Sequence, residues 1–178
     1  MLSKIPHSKP TISNKDLGAV AVQVASKMHA TGSRTEEFEK ALAEYIEMKF
    51  AKAVNSGTNA LYLALLSLGI KKGDEVIIPS YVCQSLLNAV NYTNAKPVLA
   101  DIQEDFMNKG CNISAEIIKP LITKKTKAII LPYMFGIPAE LDEIIKLGIP
   151  VIEDCAQSLG GEYKNKKLAQ LCIKNEAT

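Results

Sequence analysis

Only two histidines occur in the 178 residues, His7 and His29, and both precede the part of the chain in which strand and helix patterns alternate. That argues against a Ser-His-Asp triad or a histidine-ligated metal in this segment, and no metal is expected. The four cysteines, Cys83, Cys111, Cys155 and Cys172, form no C-x-x-C pair. Zinc-knuckle and thioredoxin-type sites are thereby excluded, and scattered cysteines suit a reducing compartment. The phosphate-binding signatures G-x-x-x-x-G-K-[ST] and G-x-G-x-x-G are missing. No excess of one charge is present: 21 basic residues face 19 acidic ones, for a net charge of +2. Neither nucleic acid nor a membrane surface is an expected partner on that balance. The opening Met1-Leu2-Ser3-Lys4-Ile5-Pro6 lacks a signal peptide's apolar core, and no apolar run approaches spanning length, so the expected location is the cytoplasm.

What is present is an apolar chain, 47% hydrophobic, of a size that suits one compact α/β domain. Residues 15–29 and 35–48 read as helices; Phe38, Leu42, Tyr45 and Ile46 recur at helical spacing in the second. From residue 51 the pattern alternates. Strands are expected at 51–55, 75–79, 97–101, 126–132 and 150–154, and helices at 58–68, 84–92, 114–122 and 139–147. The spacing is that of βαβ units, which predicts a parallel sheet with right-handed crossovers. Lys124-Lys125-Thr126-Lys127 and Lys164-Asn165-Lys166-Lys167 read as solvated basic turns.

All five expected strands end in small or polar residues, and in an open parallel sheet those ends share the edge where ligands bind. The most informative ending is Val151-Ile152-Glu153-Asp154-Cys155-Ala156-Gln157, an apolar run that stops at two acids and an amide. A carboxylate there needs a cationic or donor partner. A protonated pyridine nitrogen would serve Asp154; the alternative is a strand-end acid that caps a turn. Gln157 is either a donor to a phenolic oxygen on the same ring or an ordinary loop amide. Cys155 reads as a small buried apolar residue. Upstream, Ser56-Gly57-Thr58-Asn59 opens an apolar helix. Its backbone N–H groups make a generic anion site, although Ser56 or Thr58 is equally an N-cap.

These segments resemble a family. Ser-Gly-Thr-x-Ala-Leu at 56–61, Gly-Asp-Glu-Val-Ile-x-Pro-Ser-Tyr at 73–81, Ala-Lys-Pro-Val-x-x-Asp-Ile at 95–102, Thr-Lys-Ala-Ile-Ile at 126–130 and Pro-Val-Ile-Glu-Asp-x-Ala-Gln at 150–157 look like the DegT/DnrJ/EryC1/StrS aminotransferases. Gly32 and Glu37-Phe38-Glu39 fit the same family's entry segment. The resemblance implies an incomplete large domain of a fold-type I pyridoxal-phosphate enzyme, a mostly parallel sheet with flanking helices. It runs over 1–168, with 169–178 as a divergent tail of the kind a frameshift or truncation leaves. It implies pyridoxal 5'-phosphate as cofactor, with Gly57, Thr58 and Asn59 on its phosphate, Asp154 on its pyridine nitrogen and Gln157 on its ring hydroxyl. The ring-stacking position, usually aromatic, falls on Cys83; Tyr81 is read as a core residue or a substitute for stacking.

The implied activity is transfer of an amine, by a ping-pong route and from glutamate, to a nucleotide-linked keto-sugar for polysaccharide biosynthesis. The implied assembly is a homodimer. The Schiff-base lysine that family transaminases use lies past the Asp-x-Ala-Gln motif and is absent from this chain, since Lys174 lacks its context. No catalytic residue is therefore assigned, and the chain alone is expected to be inactive. The alternatives are a sugar dehydratase relative, or a non-catalytic fragment that binds a phosphate ligand or pairs with a full-length subunit. By the same resemblance the complete sheet has seven strands in the order 3-2-4-5-6-7-1. The segment 51–55 would then lack a neighbour and 150–154 would form an edge.

Overall fold

The computed structural model describes residues 9–27, 30, 32–103 and 110–169. Four parallel strands form the central sheet: β1 (Glu75–Pro79), β2 (Lys96–Ala100), β3 (Thr126–Pro132) and β4 (Val151–Asp154), in the order β2-β1-β3-β4. That is the order 3-2-4-5 expected for the second to fifth segments. The helices are α1 (Asn14–Ala25), α2 (Ser33–Tyr45), α3 (Gly57–Ser67), α4 (Gln84–Tyr92), α5 (Ala115–Ile118) and α6 (Leu141–Ile145). Short 3-10 turns lie at Lys119–Leu121 and Met134–Gly136, and a two-residue hairpin joins β5 (Glu162–Tyr163) to β6 (Lys166–Lys167).

Side chains alternate across a strand, so each strand feeds two cores. Val76, Ile78, Ala128 and Ile130 face α3 and α4, where they meet Leu61, Leu65, Leu86 and Val90; Ile152 of β4 packs against this same cluster. Ile77, Ile129 and Leu131 face the opposite way, toward Ile118, Leu141 and Ile144 of α5 and α6. Continuous apolar strands buried on both faces are what a doubly covered parallel sheet requires.

Two expected helices are shorter than their sequence pattern. The 114–122 helix becomes α5 followed by a 3-10 turn, because Pro120 has no N–H to give an α-helical bond. The 139–147 helix contracts to α6, and Glu140 before it is non-helical. The helix expected to reach His29 ends at Ala25, and residues 28–29 lie outside the described set, as does the tail from residue 170.

The first expected strand, 51–55, is corrected: it joins no ladder. A strand needs a neighbour for its backbone groups, and among the described residues the sheet ends at β4. Glu39 of α2 supplies partners instead: Ala53 N–H donates to Glu39 Oε1 at 2.9 Å and Lys52 Nζ to Glu39 Oε2 at 2.7 Å. Among the described residues no helix is long and apolar enough to cross a membrane.

Candidate functional site

The polarity of α3 fixes where its N-terminus lies. The residues just past its C-terminal end, Leu68 to Ile70, line a groove together with Asp74, Thr126 and Pro150, which mark the amino ends of β1, β3 and β4. An 11-residue helix rises about 16 Å, close to the length of a five-residue strand. The first turn of α3 therefore stands at the carboxyl edge of the sheet. There Ser56 is the N-cap: its Oγ accepts from Asn59 N–H at 3.2 Å. The capping reading is thus correct, and it satisfies one donor only. Gly57 and Thr58 have no acceptor within the helix, since the first turn leaves its amides unpaired. A Cβ on Gly57 would meet no atom within 4 Å, so an anion can approach the backbone there. Asn59 Nδ2 donates to Asn55 Oδ1 at 2.6 Å and steadies the approach to the helix.

The same face carries Asp154. Ile152 packs against the α3/α4 cluster, and the two-residue period puts Asp154 on that side. Glu153 points the other way, where its Oε2 accepts from the Tyr133 hydroxyl and from Ala169 N–H. The half-buried Asp154 carboxylate accepts from Ala156 N–H at 3.0 Å through Oδ1, and its carbonyl accepts from Tyr133 N–H. Cys83 is the exposed N-cap residue of α4, so it too lies at the carboxyl edge on this face, and its side chain makes no capping bond. Cys155 packs against the α5/α6 cluster as expected. Burial first, and then the charge of Glu153, pushes its thiol up to about 11. Tyr81 differs from the core reading: it is 52% exposed.

Gln157 does not stand alone. Its Oε1 accepts from Phe135 N–H at 2.7 Å, in the turn that follows β3. Phe135 has φ +57 and Gly136 φ +78, both left-handed. Asn112, 1% exposed, holds the turn from behind: its Oδ1 accepts from Met134 N–H at 3.0 Å and its Nδ2 donates to Ile137 O at 2.7 Å. No local pattern singles out Asn112, whose partners are backbone groups 22 and 25 residues away.

Two of the lysines after Gln157 are engaged elsewhere. Lys164 pairs with Asp142, while Lys167 donates to Tyr45 O and lies over the Tyr45 ring at 4.4 Å. Lys164 and Asn165 both have positive φ, as a tight hairpin turn needs.

Comparison with known proteins gives one consistent answer. The DegT/DnrJ/EryC1/StrS aminotransferase family matches residues 10–173. GDP-perosamine synthase of Escherichia coli O157:H7 is 36% identical over 167 residues, covering 91% of this chain and 45% of that protein. The putative sugar aminotransferase Spr1654 of Streptococcus pneumoniae, solved in its PLP form, superposes with a TM-score of 0.88 at 28% identity, over 94% of this chain and 47% of its own. The aminotransferase of Psychrobacter cryohalolentis superposes with a TM-score of 0.83 at 34% identity, over 92% of this chain and 42% of its own. The chain thus spans under half the length of these relatives.

Proposed function

The chain belongs to the DegT/DnrJ/EryC1/StrS aminotransferase family, and from that premise we propose that it forms the cofactor-binding part of a pyridoxal-phosphate-dependent sugar aminotransferase. The observation that carries this reading is the meeting of the α3 N-terminus and Asp154 on one face and one edge of the sheet. Such an edge can hold a phosphate at one end and a cationic ring nitrogen at the other.

The residues fit that group. The amides of Gly57 and Thr58, with the positive end of the α3 dipole, would bind a phosphate dianion over the open space at Gly57. Asn59 completes that end. The Asp154 carboxylate would hold a proton on the pyridine nitrogen, while the Ala156 N–H orients Oδ1. Gln157 would offer its Nε2 to the ring oxygen, because Oε1 is engaged by Phe135. The Cys83 sulfur would pack against the ring face. When bound, the cofactor supplies an electron sink at the substrate's α-carbon.

The substrate class is a nucleotide-linked keto-sugar and the amino donor is glutamate, in a cytoplasmic pathway of polysaccharide building. The covalent anchor of such an enzyme is a lysine. Lys164 and Lys167, the described lysines nearest the motif with assigned partners, are committed to Asp142 and Tyr45. These 178 residues alone are therefore expected to bind the cofactor reversibly and not to turn over.

Absorbance of pyridoxal 5'-phosphate with the purified chain, before and after borohydride, tests this. The expected result is a saturable spectral change that dialysis removes and borohydride does not fix. A borohydride-stable adduct on Lys174, or turnover of a 4-keto-sugar nucleotide with glutamate, would contradict it.

A further inference from the structure

We propose that Asn112 and the backbone of the Met134–Gly136 turn are positioning groups: they fix the Gln157 amide with its Nε2 donors facing the ligand. The inference rests on the cofactor reading above and adds to it the means by which Gln157 is set.

A side-chain amide has two faces of opposite character, an acceptor oxygen and a donor nitrogen, and rotation about its last bond exchanges them. Which face a ligand meets depends on what the other face touches. Here the other face meets Phe135 N–H at 2.7 Å. A flipped amide would set N–H against N–H, so the oxygen stays on the turn and Nε2 is left for an anionic oxygen.

That arrangement needs a turn which aims the Phe135 N–H outward, and such a turn is unfavourable by itself. Phe135 sits at φ +57, a left-handed conformation that is unfavourable for an L-residue. Its ring is 63% exposed, so burial does not offset that strain. Asn112 holds the strained backbone. Its side chain is buried and brackets the turn, accepting from Met134 N–H ahead of Phe135 and donating to Ile137 O beyond Gly136. Gly136 leaves room on the other side: a Cβ there would lie 3.3 Å from the Gln157 carbonyl oxygen. Strain of this kind, braced by a buried amide next to a ligand edge, marks a functional constraint.

Two readouts on the full chain test this: hydrogen exchange of the Phe135 amide, and affinity for pyridoxal 5'-phosphate. Gln157→Glu keeps the acceptor and removes the donors. It is expected to leave Phe135 protected while weakening the cofactor about tenfold or more. Gln157→Leu is expected to lose both. Asn112→Ser is expected to expose the Phe135 amide and weaken the cofactor about fivefold or more, but to have no further effect on affinity in the Gln157→Leu background. Should that variant not fold, Gly136→Ala displaces the turn from its own backbone and is expected to give the same pair of results. Free exchange of Phe135 in the unmodified chain would overturn the proposal. So would an Asn112→Ser effect that simply adds to Gln157→Leu, because Asn112 would then act on stability alone. Absence of cofactor binding by the unmodified chain would defeat the functional reading instead, and the exchange data would then decide the positioning claim on their own.

Discussion

Cys155 illustrates how a single position next to the site is set by its surroundings. Burial removes water from the thiol, and the neighbouring Glu153 charge opposes a thiolate, so its titration rises from 9.0 to about 11. A raised value favours the neutral form in the fold. Its contribution to stability is complete below pH 9 and fades as pH climbs toward 11. Alkylation at pH 8, followed peptide by peptide, is expected to modify the exposed Cys83 well before Cys155; equal rates would contradict the burial argument. The residues that the sequence revealed are those whose role is local. Ser56-Gly57-Thr58 announces a helix start, and Asp154 stands out because an apolar strand ends on it. Asn112 was illegible because its role depends on backbone groups brought close only by folding. The core reading of Tyr81 failed for a similar reason: an aromatic residue two positions past a buried strand follows the turn outward, away from the core.

Among the elements, the strands of the sheet were readable because each is a short apolar run with turn residues at its ends, and two buried faces demand that pattern. The segment 51–55 has the same look and a different outcome, since strand formation depends on a neighbour that local sequence does not specify. Its backbone rests on Glu39. The Lys52 ammonium, then the Ala53 N–H, holds that carboxyl below the usual carboxylate range, so the tie is complete above pH 4.5 and is lost as pH falls through the lowered value. Glu39→Ala at neutral pH is expected to speed hydrogen exchange at Ala53 while the melting temperature stays nearly unchanged, because the Lys52 ammonium of the pair is exposed to solvent. Unaltered exchange would mean that the segment is held by something other than α2.

For the molecule as a whole, two surfaces stand out. The β4 strand is an edge among the described residues, and α1, α2 and the residues after them leave Leu17, Val20, Val24, Phe38 and Phe50 more than half exposed. Exposed apolar side chains and an open strand edge both favour association. The chain is expected to self-associate with rising concentration in light scattering, and Phe38→Glu with Phe50→Glu is expected to reduce it. A monomer at all concentrations would argue against a dimer-forming face. In the proposed function, α3 and Asp154 together bind one phosphorylated pyridine ring. Titrating the chain with pyridoxal 5'-phosphate and with unphosphorylated pyridoxal, each against Asp154→Asn, tests it most directly. The phosphorylated form is expected to bind more tightly, and Asp154→Asn is expected to weaken it about tenfold. Equal affinity for both forms, or an Asp154→Asn chain that binds as well as the original, would contradict it.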